Sequence, residues 1–213
     1  MDVTGLSRLC GLALLALTAT GCSDSVSTGT ITGTAVVTYH DASVNFGTYR
    51  TYAITNKLAV YQELLGLPVY TFVPAPLLFA AIDENMAARG YVKVAVIDPQ
   101  NPPPTPVVAD LSINPVALQA AKSAAYPCDW WSWWSYPAYG CTASWDWVSY
   151  TVGTLFIPLA DLKNPPPPGS APSFKVIWSG VAHAILDTSS SDSALAVKAV
   201  NQAFIQSPYL QTP

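Results

Sequence analysis

The sequence predicts an α+β domain, with an antiparallel or mixed sheet of about four to six strands and two helices packed on one face. Three observations lead there. Stretches rich in Ile, Val and Thr, alternating apolar residues with others, recur at 31–39, 91–97, 148–160 and 174–186, and read as strands. Two further segments, one opening at Pro76 and one following Ser193, carry apolar residues at helical spacing instead. Finally, 213 residues with 51% hydrophobic content suffice for one domain with a real core.

The first 21 residues stand apart from that domain. Arg8 and the amino terminus supply positive charge ahead of an apolar run over 9–17, which is too short to span a bilayer and is followed by small residues. This is the pattern of an export signal. The run LTATGC at 17–22 resembles the bacterial lipobox. The resemblance implies that 1–21 is a lipoprotein signal peptide and that Cys22 receives diacylglycerol and becomes the mature amino terminus. Ala19 stands where that pattern prefers leucine, so ordinary cleavage near Gly21, giving a freely secreted protein, is the competing reading. Each buried methylene of an acyl group contributes about 0.8 kcal/mol, so several chains on one residue hold a domain durably at a membrane. Residues 22–30 then read as the lipidated cysteine and a short polar tether. Ser23 follows the cysteine where an aspartate would, in enteric sorting, favour the inner membrane, so the analogy places the protein in the outer membrane, facing the periplasm.

Charge and cysteine use agree with export. The net charge is −4 and is unchanged by loss of Arg8 and Asp2 with the signal. Scattered lysines in a weakly acidic chain offer no stripe for nucleic acid and no polybasic run for anionic lipid. Only 10% of residues are charged, so much of the surface is neutral polar or aromatic. With Cys10 lost and Cys22 acylated, Cys128 and Cys141 remain as a pair, and oxidising conditions favour a disulfide between them worth about 3 kcal/mol. So few thiols, with no clustered histidines, leave no ligands for a metal site, and no cofactor is expected.

Within the domain, 31–210, the strand at 31–39 leads into a turn at His40, Asp41, Ala42 and Ser43. Residues 56–76 are apolar and proline-dotted without a clean period, and read as an irregular connection. Pro76 suits a first helical turn; Leu78, Ile82 and Met86 share a face, and Gly90 stops the helix. Pro99 to Pro106 is a polyproline-like linker. The strands at 148–160 and 174–186 should pair as an antiparallel hairpin across Pro165 to Pro168, with Trp178 and Ala182 on one face. Pro158 cannot donate to a ladder, which predicts an edge or a bulge there. Ser191 to Ser193 offer caps for a last helix whose stripe is Leu195, Ala196, Ala199, Val200, Ala203 and Phe204, ended by Pro208.

Five short motifs in this order resemble a bacterial lipoprotein family known only as a domain of unknown function, the one numbered four-one-three-six. They are YHDASVNFGTYRTYAI at 39–54, with Asp41, Phe46, Tyr49, Arg50, Thr51 and Tyr52 at matching places; MAARGY at 86–91; GTLFIPLAD at 153–161; VIWSGVA at 176–182; and AVNQAFIQSPY at 199–209. The segment Ala109 to Ile113 resembles the family's short Asp-containing strand. Pro158 stands where the family usually has aspartate. The resemblance covers most of 31–210 and implies no activity.

Residues 126–147 are a Trp-rich insertion holding six of the seven tryptophans around the cysteine pair. Two readings compete. Trp130, Trp131, Trp133, Trp134, Tyr136 and Tyr139 either fold over the sheet as a disulfide-stapled cover, or form an exposed platform for sugar faces, a protein partner or a membrane interface.

Candidates for catalysis are sparse. There is no Gly-x-Ser-x-Gly elbow and no nucleophile held by a base. His40 and His183 read as solvated or locally bonded side chains. Asp41, Asp110 and Asp161 would be a carboxylate set if they converged, but capping turns and strand ends is their ordinary role. The expectation is therefore a non-enzymatic envelope lipoprotein, an interaction or structural module anchored through Cys22, with an envelope protein or glycan as partner. Carbohydrate or peptidoglycan binding through the Trp-rich loop is the alternative, and an uncharacterised hydrolase the least favoured.

Overall fold

The computed structural model describes residues 25–31, 34–65, 67–105, 107–119, 122–123, 149–150, 153–164, 175–183, 185 and 194–212. They form a mixed sheet with two helices on one face. The sheet has ten strands rather than about four to six. Its spine runs β1 (Ser25–Ile31), β2 (Thr34–His40), β12 (Lys175–Ala182), β11 (Thr154–Asp161), β7 (Leu111–Ile113), β3 (Thr51–Thr55) and β6 (Val92–Ile97). Beyond Asn56 the strand line of β3 continues as β4 (Lys57–Leu64), and beyond Asn114 and Pro115 that of β7 continues as β8 (Val116–Leu118). β4 pairs with β8 and with β5 (Leu67–Pro74), so the sheet forks toward one end. A separate two-stranded ribbon joins β9 (Lys122–Ser123) to β10 (Ser149–Tyr150).

Three of the added strands correct the sequence reading. Residues 56–76 are not an irregular connection but the β4–β5 hairpin, paired from Lys57↔Pro74 to Leu64↔Leu67. Leu58 and Val60 face one core while Ala59 and Tyr61 face another, so burial on both sides erased the alternation that marks a half-exposed strand. The polar stretch expected to be tether is β1 from Ser25 onward, paired residue for residue with β2 and lying against the second helix.

The hairpin expected at 148–160 and 174–186 is present as β11 and β12, but its first strand begins only at Thr154, Ser149 and Tyr150 pairing with β9 instead. Every residue of β11 is buried. Pro158 is on an interior strand, not an edge, and the register with β12 slips one residue later, between Leu159 and Ala160. On the other side β11 pairs with β8 up to Phe156 and with β7 from Leu159, so Ile157 and Pro158 lie opposite the break at Asn114 and Pro115. A residue without an N–H donor sits where that ladder is interrupted.

The helices are α1 (Pro76–Ala88) and α2 (Ala194–Ile205). Pro76 opens α1, and Gly90, at φ 85°, follows it in the left-handed region. Leu78, Ile82 and Met86 of α1 and Ala196, Ala199, Val200, Ala203 and Phe204 of α2 join the larger core with Leu155, Ile157, Leu159 and Trp178. Among the described residues, no helix is long and apolar enough to cross a membrane.

A second core lies on the opposite face, built on Ala53, Tyr61, Val116, Phe156 and Val181. Two parallel connections explain it. α1 carries the chain from the β3–β4 line out to β6, and residues 98–110 bring it back across β3 to β7. Parallel crossovers share one hand, so the return must use the face that α1 does not. Accordingly Val107 and Ala109 of the proline-rich return pack into the second core. Register sets Ala95, Ala53, Ser112 and Ala160 in one cross-strand row, whose short side chains leave room for it.

Candidate functional site

The polar groups singled out in the sequence gather at one end of the sheet, where β2 and β11 finish and β12 and β3 begin. Asp41 follows β2. Its Oδ1 accepts from the Ser43 backbone N–H at 2.8 Å and from the Ser43 hydroxyl at 2.6 Å, and its Oδ2 pairs with Lys175. Burial alone would raise the Asp41 carboxyl, but the donors of Lys175 and Ser43 outweigh it and hold it below its ordinary value. Asp161 ends β11. It accepts from the Tyr49 hydroxyl at 2.8 Å, the backbone N–H groups of Lys163 and Asn164 at 2.9 and 3.0 Å, and the Asn164 amide at 2.8 Å. Asp110 precedes β7, and its Oδ2 accepts the backbone N–H groups of Arg50 and Thr51 at 2.6 and 3.1 Å. The Thr51 hydroxyl in turn accepts from the Asp110 N–H at 2.9 Å.

The run Tyr49-Arg50-Thr51-Tyr52 is thus a fastening for the start of β3. Tyr49 reaches β11, Arg50 and Thr51 reach the turn before β7, and the Tyr52 hydroxyl donates to Asp83 of α1 at 2.8 Å. Lys93 of β6 pairs with the same carboxylate. Burial, and then the bonded carboxylates, push the Tyr49 and Tyr52 hydroxyls above the ordinary phenol range. Phe46 packs in the core beneath, in tilted contact with Tyr49.

The other motifs have equally mechanical roles. Arg89 donates to the Phe204 carbonyl at 2.7 Å, occupying an end carbonyl of α2, and its guanidinium stands 5.0 Å from the Phe204 ring centre. The Trp178 indole donates to the Ser207 hydroxyl at 2.8 Å, which donates to the Ala203 carbonyl at 3.0 Å. Gly180 lets α2 approach: a Cβ there would lie 2.9 Å from that of Ala203 and 3.1 Å from the Trp178 ring.

His40 stacks on Tyr209 with ring centres 3.9 Å apart, and His183, at the far end of β12, lies 3.4 Å from the Thr154 hydroxyl. Burial lowers the His183 pKa below its ordinary value. Among the described residues no three His, Cys, Asp or Glu side chains gather as metal ligands would. Cys22, the pair Cys128 and Cys141, and Trp130, Trp131, Trp133, Trp134, Tyr136 and Tyr139 lie outside the described residues. What bounds the Trp-rich insertion is described: Gln119 donates to the Tyr61 carbonyl and Gly153 to that of Leu118, at the end opposite Asp41.

Sequence reading missed Lys163, Asn164 and Lys175. The first two follow Asp161 directly, an Asx-turn pattern that could have been found; Lys175 is brought in only by the β11–β12 register.

No curated protein matches the chain. A crystal structure of a DUF4136 family protein from Bacteroides thetaiotaomicron superposes with a TM-score of 0.59 at 24% identity, covering 84% of this chain and 97% of that one. The PelC dodecamer from Paraburkholderia phytofirmans gives 0.35 at 15% identity, covering 90% and 100%, and a point variant of it 0.34 at 16%, covering 89% and 99%. The profile of the family described as "Domain of unknown function (DUF4136)" matches residues 36–209, and the chain therefore belongs to that family.

Proposed function

We propose that this DUF4136 chain is a non-catalytic envelope lipoprotein, anchored by an acylated Cys22 in the outer membrane and facing the periplasm, where its domain serves as an interaction or structural module. One observation carries the non-catalytic reading. The acids that would serve a hydrolase, Asp41, Asp110 and Asp161, each accept backbone N–H donors from the loops they brace, so they act as fasteners rather than as a convergent pair.

A second reading, glycan or peptidoglycan binding through the Trp-rich loop, draws on its placement. The loop leaves and rejoins the sheet beside Leu118 and Thr154, at the end away from Ser25, where β1 begins. A platform there would face away from the anchoring bilayer.

The test is affinity recovery of the full protein from cross-linked intact envelopes. We expect a reproducible protein or glycan partner that is lost with Cys22→Ala, which frees the domain from the membrane. Recovery of the anchored domain alone would contradict the proposal. Loss of the partner on Trp130→Ala with Trp133→Ala would select the glycan reading.

A further inference from the structure

The position of β1 fixes which end of the domain an anchor on Cys22 can present to a membrane. Ser25 pairs with His40, and His40 with Trp178, so the three are level across the sheet. From Ser25 back to Cys22 is three residues, a reach of at most about 10 Å. Trp178 to Lys175 is the same three residues along β12, toward the end that carries Asp41 and Asp161. The leash therefore just reaches that rim, while the opposite end lies most of a strand further away.

Charge is sorted at the same rim. Arg50, Lys163 and Lys175 are exposed there. Lys163 donates to the Thr48 carbonyl, Arg50 to the Gly47 and Tyr49 carbonyls, and Lys175 pairs with Asp41, which gathers all three cations around the 41–50 loop. Of the acids beside them, Asp41 and Asp161 are turned inward, 7% and 6% exposed, and Asp110 is half-buried with its carboxylate on the Arg50 and Thr51 N–H groups. The outermost charges at this end are thus three cations, on the side of the anchor, with the three carboxylates that balance them set behind.

We propose that this rim, the 41–50 loop with Lys163 and Lys175, is seated on the bilayer that holds the acyl chains, with anionic phospholipid headgroups as ligands of Arg50, Lys163 and Lys175. The inference rests on the reading of Cys22 as the lipidated residue. Each side chain keeps N–H donors beyond those used within the protein, and a fixed short leash makes the contact intramolecular, so three cations suffice where a free domain would need a longer basic run.

The test uses the mature acylated protein in vesicles, with a fluorescent amino acid in place of Ala42 or of Leu65, the latter on the β4–β5 tip beyond the opposite end. Nitroxide-headgroup lipid should quench the probe at 42 several-fold more than that at 65. In phosphatidylglycerol vesicles the quenching at 42 should exceed that in phosphatidylcholine by at least about twofold, and Lys163→Glu should reduce the excess. Equal quenching at both sites, or stronger quenching at 65, overturns the seating; identical quenching in both lipids overturns the headgroup contact. Absence of acyl mass on the amino-terminal peptide overturns the anchor and the seating together, and is read separately from either result.

Discussion

Asp161 shows at single-residue scale why these carboxylates matter. A buried carboxylate receives a tyrosine hydroxyl, two backbone N–H groups and an asparagine amide, and so ties β11 to the entrance of β3. Asp161→Ala orphans all of those donors at once and should cost about 3–5 kcal/mol, whereas Tyr49→Phe removes one donor and should cost about 1–3 kcal/mol, both read by chemical denaturation. Titration follows from the same contacts. Asp41 is held below its unfolded value, so its contribution is complete above about pH 4 and is lost as pH falls through the lower folded value; Lys175→Gln should flatten that acid limb. Tyr49 and Tyr52 are shifted the other way, so their contribution is complete below about pH 10 and is lost as pH rises beyond it, which tyrosinate absorbance recorded alongside unfolding will follow.

Among the elements, α2 depends on its seat over β12. Trp178 and Gly180 form that seat, and a methyl at Gly180 would meet Ala203 at 2.9 Å. Gly180→Ala should therefore destabilise by about 1–3 kcal/mol, and Gly180→Ala with Ala203→Gly should recover part of the loss. The elements legible in the sequence were those with an asymmetric environment. α2 has one buried stripe, and α1 is bounded by Pro76 and Gly90. β11 was legible through its unbroken apolar run, though its interior place was not, because the interruption opposite Asn114 and Pro115 exists only in the assembled sheet. β4 and β5 were hidden by burial of β4 on both faces, and β1 by a Ser- and Thr-rich composition that its pairing with β2 overrides. The ordinary structural roles of Asp41, Asp110 and Asp161 were readable from turn chemistry; the partners Tyr49, Arg50 and Thr51, 59 to 112 residues away from Asp110 and Asp161, were not.

Over the whole molecule, the sheet separates two ends. β11 alone spans about 25 Å between them. One end carries the start of β1, the fastened acids and the exposed cations; the other carries the β4–β5 tip, where Leu64 and Leu65 are exposed, and the stems of the Trp-rich insertion. On the proposed account the first end meets the bilayer and the second meets whatever the module binds. Cys22 decides between that account and a freely secreted domain, because only an acylated residue three positions before β1 forces the orientation. The direct measurement is the intact mass and amino-terminal sequence of the protein extracted from native membranes. A chain beginning at Cys22 and carrying diacylglycerol is the predicted result; a chain beginning elsewhere, or an unmodified Cys22, contradicts the account.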